Sequence, residues 1–185
     1  MSVRLARSAA SHFAPVNRTY TSGTSATETA PLGATNVIIE AWGGGGGGED
    51  GWFSDAAEFG GDGKAGGYCR SSYPIVGGQT LVYTVGSGGA RGGPATNGTA
   101  TTVVSGTKTI TSMNAGGGGG GGIANQGAPG AAPSATGGNV VNLVSTSYVP
   151  ITGSYGDTGG NGGQGKLYPQ PGIAGTVGKV IFHYT

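Results

Sequence analysis

Only one cysteine, Cys69, stands among 185 residues, so neither an intrachain disulfide framework nor a cysteine zinc site can form. Histidine is almost as scarce, with His12 and His183 alone. Neither lies in a nucleophile signature with Cys69, whose expected place is a small buried thiol. Charged residues make up 9% of the chain and the formal net charge is +1. Without clustered Lys and Arg there is no face for phosphate, and no nucleic-acid partner is expected. Low charge also argues against disorder, because disordered chains stay soluble through charge. No run of about 18 apolar residues occurs, and the first 14 residues, with Arg4 and Arg7, lack an apolar h-region. Neither membrane insertion nor a signal peptide is expected. Proline is sparse and no strict Gly-X-Y period runs through the chain, which removes collagen.

What fills the chain instead is glycine: 44 residues, more than three times the ordinary share of roughly 7%. It comes in unbroken runs, 43–48 and 116–122, joined directly to segments of strand character. Residues 36–42 (NVIIEAW) alternate Val37, Ile39 and Ala41 against Ile38, Glu40 and Trp42, and residues 178–184 alternate Val180, Phe182 and Tyr184 against Lys179, Ile181 and His183. Strands are also expected near 17–22, 67–75 and 80–85, and, more weakly marked, within 139–151. Gly77 and Gly78 suggest a hairpin joining 67–75 to 80–85, with Pro74 confined to an edge or strand end. A second hairpin is expected between 99–104 and 108–113 around Ser105-Gly106-Thr107. No window holds a helical period, since glycine interrupts nearly all of them at about 1 kcal/mol per interior position. The reading is an all-β, small β-sandwich-like domain over residues 17–185, preceded by a slightly basic arm, 1–16.

An ordered glycine run loses on the order of 1–2 kcal/mol of backbone entropy per residue, so it needs lateral partners. A three-residue left-handed helix has no internal hydrogen bonds and turns every N–H and C=O outward. Several such helices side by side can bond one another, and only glycine lets them come close enough. The glycine-rich excursions are therefore expected to pack as polyglycine II helices. Residues 116–122 are expected at an interior position, while Gly-Gly-Asn-Gly-Gly-Gln-Gly at 159–165 has the period for an outer one.

Catalytic signatures are missing. The run 43–48 formally contains G-x-G-x-x-G, but any six glycines satisfy it, and Glu49-Asp50-Gly51-Trp52 is a poor helix opening. Gly63-Lys64 is followed by Ala65 where a P-loop needs Ser or Thr. Glu49, Asp50, Asp55 and Glu58 crowd one segment, with Asp62 and Asp157 in glycine-rich turns. The nonapeptide calcium repeat is absent, so a solvated loop is expected. No enzyme activity, metal or cofactor is expected. One constellation remains: aromatics on glycine-rich loops, namely Trp52, Phe53, Phe59, Tyr155 and Tyr168. Rings on polar-flanked loops suit recognition surfaces, sugars included, because a ring face stacks while Asp and Asn bond hydroxyls.

The Thr-rich lead-in, Glu40-Ala41-Trp42 before a glycine run, Gly66-Gly67-Tyr68, Thr84-Val85-Gly86-Ser87-Gly88-Gly89 and the closing Gly178-Lys179-Val180-Ile181-Phe182 occur in one order. From about Tyr20 to Tyr184 this order resembles the glycine-rich domain of bacteriophage tail-fibre and receptor-binding proteins. The resemblance implies a β-sandwich body with polyglycine helices and variable loops that touch a bacterial surface glycan or outer-membrane protein. It implies a virion location, other tail or fibre proteins as partners, and adhesins that cap a fibre singly or as homotrimers. Trp52, Phe53, Phe59, Tyr155 and Tyr168 are then candidate receptor contacts, and Arg4, Arg7 and Phe13 candidate docking contacts in the arm. The chain departs from long fibres in having no coiled-coil or β-helical shaft. A structural fibre or decoration protein with no receptor is the alternative. Ice binding, prompted by Thr-x-Thr pairs at 107–111 and near 99–102, is a distant third.

Overall fold

A computed structural model describes residues 13–50, 60–122, 135–138, 140–142 and 171–185. Within them the chain forms β1 (Val16–Tyr20), β2 (Ala26–Thr29), β3 (Asn36–Trp42), β4 (Tyr68–Pro74), β5 (Thr80–Thr84), β6 (Thr101–Ser105), β7 (Met113–Ala115), β8 (Ala135–Thr136), β9 (Val140–Asn142) and β10 (Lys179–Tyr184). Two five-stranded sheets result, ordered β1-β10-β3-β4-β9 and β2-β5-β6-β7-β8. Every strand pairing is antiparallel.

Period-two alternation builds the core. Val37, Ile39 and Ala41 face Tyr184, Phe182 and Val180 across the β3–β10 ladder, and all six are buried. From the second sheet Leu81, Tyr83, Val103 and Met113 enter the same apolar cluster, so the sheets pack face to face as a sandwich. Tyr20 stacks on Tyr83 with ring centroids 4.7 Å apart, and Phe182 meets both rings edge-on. Burying Phe182 alone is worth about 1.5–3 kcal/mol relative to exposing it.

The first expected hairpin is corrected, and the second forms with a longer loop and a shifted second arm. β4 lies between β3 and β9 while β5 lies between β2 and β6, so the turn through Gly77 and Gly78 passes from one sheet to the other. Gly78, at φ 87°, makes that corner possible, and Pro74 stands at the end of its strand. In the second case β6 pairs with residues 113–115, not 108–113. The amides there are used elsewhere: Lys108 N–H donates to Thr80 O, and Thr107 N–H to the Thr80 hydroxyl. Residues 108–112 therefore read as strand without having a strand partner, and only Met113 at the end of the pattern joins β7.

Candidate functional site

The glycine run after β3 leaves the sandwich and becomes the axis of a bundle. Its donors turn through three directions in sequence. Gly43, Gly46 and Glu49 donate to Gly67, Lys64 and Gly61; Gly44 and Gly47 donate to Thr99 and Thr96; Gly45 and Gly48 donate to Thr176 and Ile173, at 2.8–3.0 Å. Each acceptor series steps by three residues, the repeat of a threefold helix. Carbonyls return the pattern, with Gly118 and Gly121 donating to Gly44 and Gly47, and Gly89 to Gly45.

The surrounding segments bond one another in the same step. Residues 60–67 donate to 116–119 through Lys64 and Gly67, Gly98 donates to Gly118, Thr96 and Thr99 donate to Ala90 and Ser87, and Gly175 and Gly178 donate to Gly89 and Gly86. Glycine is required at specific contacts. A Cβ on Gly46 would lie 2.0 Å from Gly119 O, and one on Gly47 2.0 Å from Ala90 O. Gly60, Gly63 and Gly66 face the axis, as do Gly172, Gly175 and Gly178. These are polyglycine II helices, packed around a central one.

That central helix is residues 43–48, not 116–122. Every residue from Gly43 to Gly48 is buried, while Gly117, Gly120 and Gly122 keep partial exposure. Run length alone did not mark the interior. Residues 172–178, Gly-Ile-Ala-Gly-Thr-Val-Gly, carry the clearer threefold signal, with glycine inward and Ile173, Ala174, Thr176 and Val177 exposed. At a rise of about 3.1 Å per residue, Gly43 to Glu49 carries the chain roughly 20 Å beyond β3.

Trp52, Phe53 and Phe59 lie outside the described residues, but their flanks, Asp50 and Gly60, stand at the end of the bundle remote from β3 and β4. Tyr155, Tyr168, Arg4 and Arg7 also lie outside them, as does residues 159–165. Phe13 is half-buried against the core, its ring beside Gly33 at the opposite end of the sandwich. At φ 92° Gly33 turns the chain beneath that ring.

The acidic segment is not a solvated loop at its start. Glu49 is 1% exposed, and the Gly61 backbone lies against its carboxylate. Burial, with the Asp50 charge adding to it, outweighs the hydrogen bond from the Gly61 backbone and raises its carboxyl above the ordinary range. Asp50 accepts the Gly172 N–H at 2.6 Å, and the Arg91 guanidinium reaches Gly172 O. Asp55 and Glu58 lie outside the described residues. Among those described, no three acidic, histidine or cysteine side chains come together.

Within the sandwich, the candidate chemistry is structural. Cys69 is fully buried, and burial pushes its thiol up to about 12, which removes it as a nucleophile at neutral pH. His183 Nε2 lies 2.7 Å from Glu40, which also accepts the Tyr68 hydroxyl at 2.6 Å. Burial alone would raise the Glu40 carboxyl; His183, Tyr68 and Arg70 outweigh it and hold it below the ordinary value of 4.5. A depressed carboxyl contributes stability above its unfolded value and loses it as pH falls through the folded one. Urea unfolding is expected to show a stability loss below about pH 4.5 that Glu40→Gln diminishes; an unchanged acid limb in the variant would assign the loss to other groups.

The sequence model of a family described as a glycine-rich domain matches residues 19–180. The chain belongs to that family. No curated protein matches it.

Proposed function

We propose that this glycine-rich domain protein is a bacteriophage virion protein of the tail fibre or tail tip, an adhesin that attaches the particle to its bacterial host. The observation that supports this reading is the bundle. Its helices are joined mainly by backbone bonds, with side-chain bonds from Thr96, Thr99, Asn97 and Asp50 added to them, and it holds connecting segments some distance from the sandwich. Segments held that way can change sequence freely without disturbing their support, which suits a surface that must follow a changing receptor. Trp52, Phe53, Phe59, Tyr155 and Tyr168 are the proposed contacts to a surface glycan or outer-membrane protein. The arm, with Arg4 and Arg7, is the proposed attachment to other virion proteins. No catalytic step is assigned.

The ice-binding alternative is less well supported, because Thr101 is buried and the Thr99, Thr101 and Thr107 hydroxyls bond within the fold.

Fluorescently labelled full-length protein, applied to a panel of bacterial strains and read by flow cytometry, tests the proposal. Saturable labelling of some strains is expected, weakened about tenfold or more by Trp52→Ala with Phe53→Ala at an unchanged melting temperature. Absence of labelling on every strain, with the protein still incorporated into virions, would favour the structural decoration role.

A further inference from the structure

At the end of the sandwich away from the bundle, the turn before β3 and the corner after β4 enclose a pocket of about 550 Å3. Ala34, Pro74, Ile75 and Val76 supply its apolar lining, Gln79 and Lys108 its long polar side chains. Backbone bonds fix these walls: Ile75 N–H donates to Thr35 O at 3.1 Å, Gln79 N–H to Val76 O at 3.0 Å and Gly78 N–H to Ala30 O at 2.9 Å. The Gln79 side chain braces the same turn, its Oε1 accepting the Val76 N–H at 2.9 Å, which leaves the amide nitrogen as a donor. A site whose backbone is already held loses little entropy when it is filled.

The two most exposed large apolar side chains among the described residues stand here, Leu32 at 84% and Val76 at 66%. The Leu32 backbone packs on Gly77, 2.7 Å from where a Cβ there would stand. Single exposed apolar residues need no explanation, but residues grouped at a preformed concavity mark an interaction surface. Charge then selects the occupant. No acidic side chain lines the pocket, and the half-buried Lys108 has no ion-pair or hydrogen-bond partner for its ammonium among the described residues. The chain's own arm joins the fold nearby, with the Phe13 ring against Gly33. However, residues 1–16 carry Arg4 and Arg7 and no acid, so like charge sets the arm against Lys108.

We propose that this pocket docks a segment of a partner protein in which an apolar side chain stands next to a carboxylate. The apolar group enters between Pro74, Ile75 and Val76, with Leu32 at the rim. The carboxylate pairs with the Lys108 ammonium and accepts from the Gln79 amide, a charge-assisted contact at the edge of an apolar anchor. This site is independent of the host-attachment reading, because the pocket and the flanks of the candidate receptor segment, Asp50 and Gly60, lie at opposite ends of the described chain.

A random heptapeptide library displayed on yeast, sorted against the labelled full-length protein, tests the proposal. Enrichment of peptides with Asp or Glu within two positions of Leu, Ile or Phe is expected. Lys108→Glu and Val76→Glu are each expected to weaken binding of the enriched peptides about tenfold or more at an unchanged melting temperature, and Lys108→Glu to select basic peptides instead. No enrichment, enriched peptides without acidic residues, or equal binding by wild type and Lys108→Glu would overturn the proposal. A wild-type dimer in analytical ultracentrifugation that Lys108→Glu dissolves would overturn it in favour of a second copy of the chain.

Discussion

Gly46→Ala is expected to destabilise the protein by about 3 kcal/mol or more, enough to remove a large part of an ordinary domain's stability. The methyl would stand 2.0 Å from Gly119 O and 2.3 Å from Gly119 C. Neither atom can retreat freely, because Gly119 O accepts the Lys64 N–H and the Gly118 N–H is bonded to Gly44 O. Moving the central helix is no easier, since Gly46 and its neighbours donate to three different segments. The intrinsic preference of alanine over glycine, worth about 0.4–1 kcal/mol through the unfolded state, is too small to offset this clash. Ala174→Val, at an exposed position of residues 172–178, is the matched control and is expected to change stability by less than about 0.5 kcal/mol. Urea unfolding monitored by circular dichroism compares the two. Equal effects would mean that close approach of helices is not what glycine provides here.

Glu28→Ala is expected to cost about 3–5 kcal/mol, the usual consequence of removing one member of a buried charged network. Glu28 is 2% exposed and sits on β2, an edge strand of one sheet, while its partners come from the other. Oε1 accepts Arg18 Nη1 at 2.8 Å and the Tyr184 hydroxyl at 2.9 Å, and Oε2 accepts the Tyr20 hydroxyl at 2.6 Å. The Arg18 contact is partly solvated, so its own share is small. Most of the loss arises from the two tyrosine hydroxyls left without an acceptor, Tyr184 being 1% exposed. Glu28→Gln, which keeps an acceptor oxygen, is expected to recover part of it. A Glu28→Ala protein whose urea midpoint hardly moves would show that apolar packing alone closes this side of the sandwich.

The strands were legible because their signal is local. NVIIEAW and KVIFHY alternate cleanly, and both form central strands of one sheet with the faces the pattern assigns. Pairing was less legible. The short turns at 76–79 and 105–107 suggest hairpins, yet one turns a corner between sheets and the other gives its amides to Thr80. At the first, the turn residues report that the chain reverses but not which sheet receives it; at the second, they do not report where the returning strand begins. In the bundle, the need for lateral partners follows from glycine's chemistry, but the interior position does not follow from run length. Residues 43–48 are central because β3 and β4 lead segments to and from the axis, with 86–90, 96–99 and 172–178 arriving from other strands. The buried carboxylate of Glu49 carried no signal at all, since beside Asp50 it reads as solvated polar sequence until the threefold phase is known.

Native-state amide hydrogen exchange across residues 43–49 tests the central claim most directly, because these residues have no side-chain contacts with which to be held until Glu49. Lateral amide pairing predicts slow exchange throughout, at rates approaching those of Ile39 and Phe182 in the strands, with opening free energies near that of global unfolding. Exchange of the Gly43–Gly48 amides at the rates of an unstructured chain would contradict it.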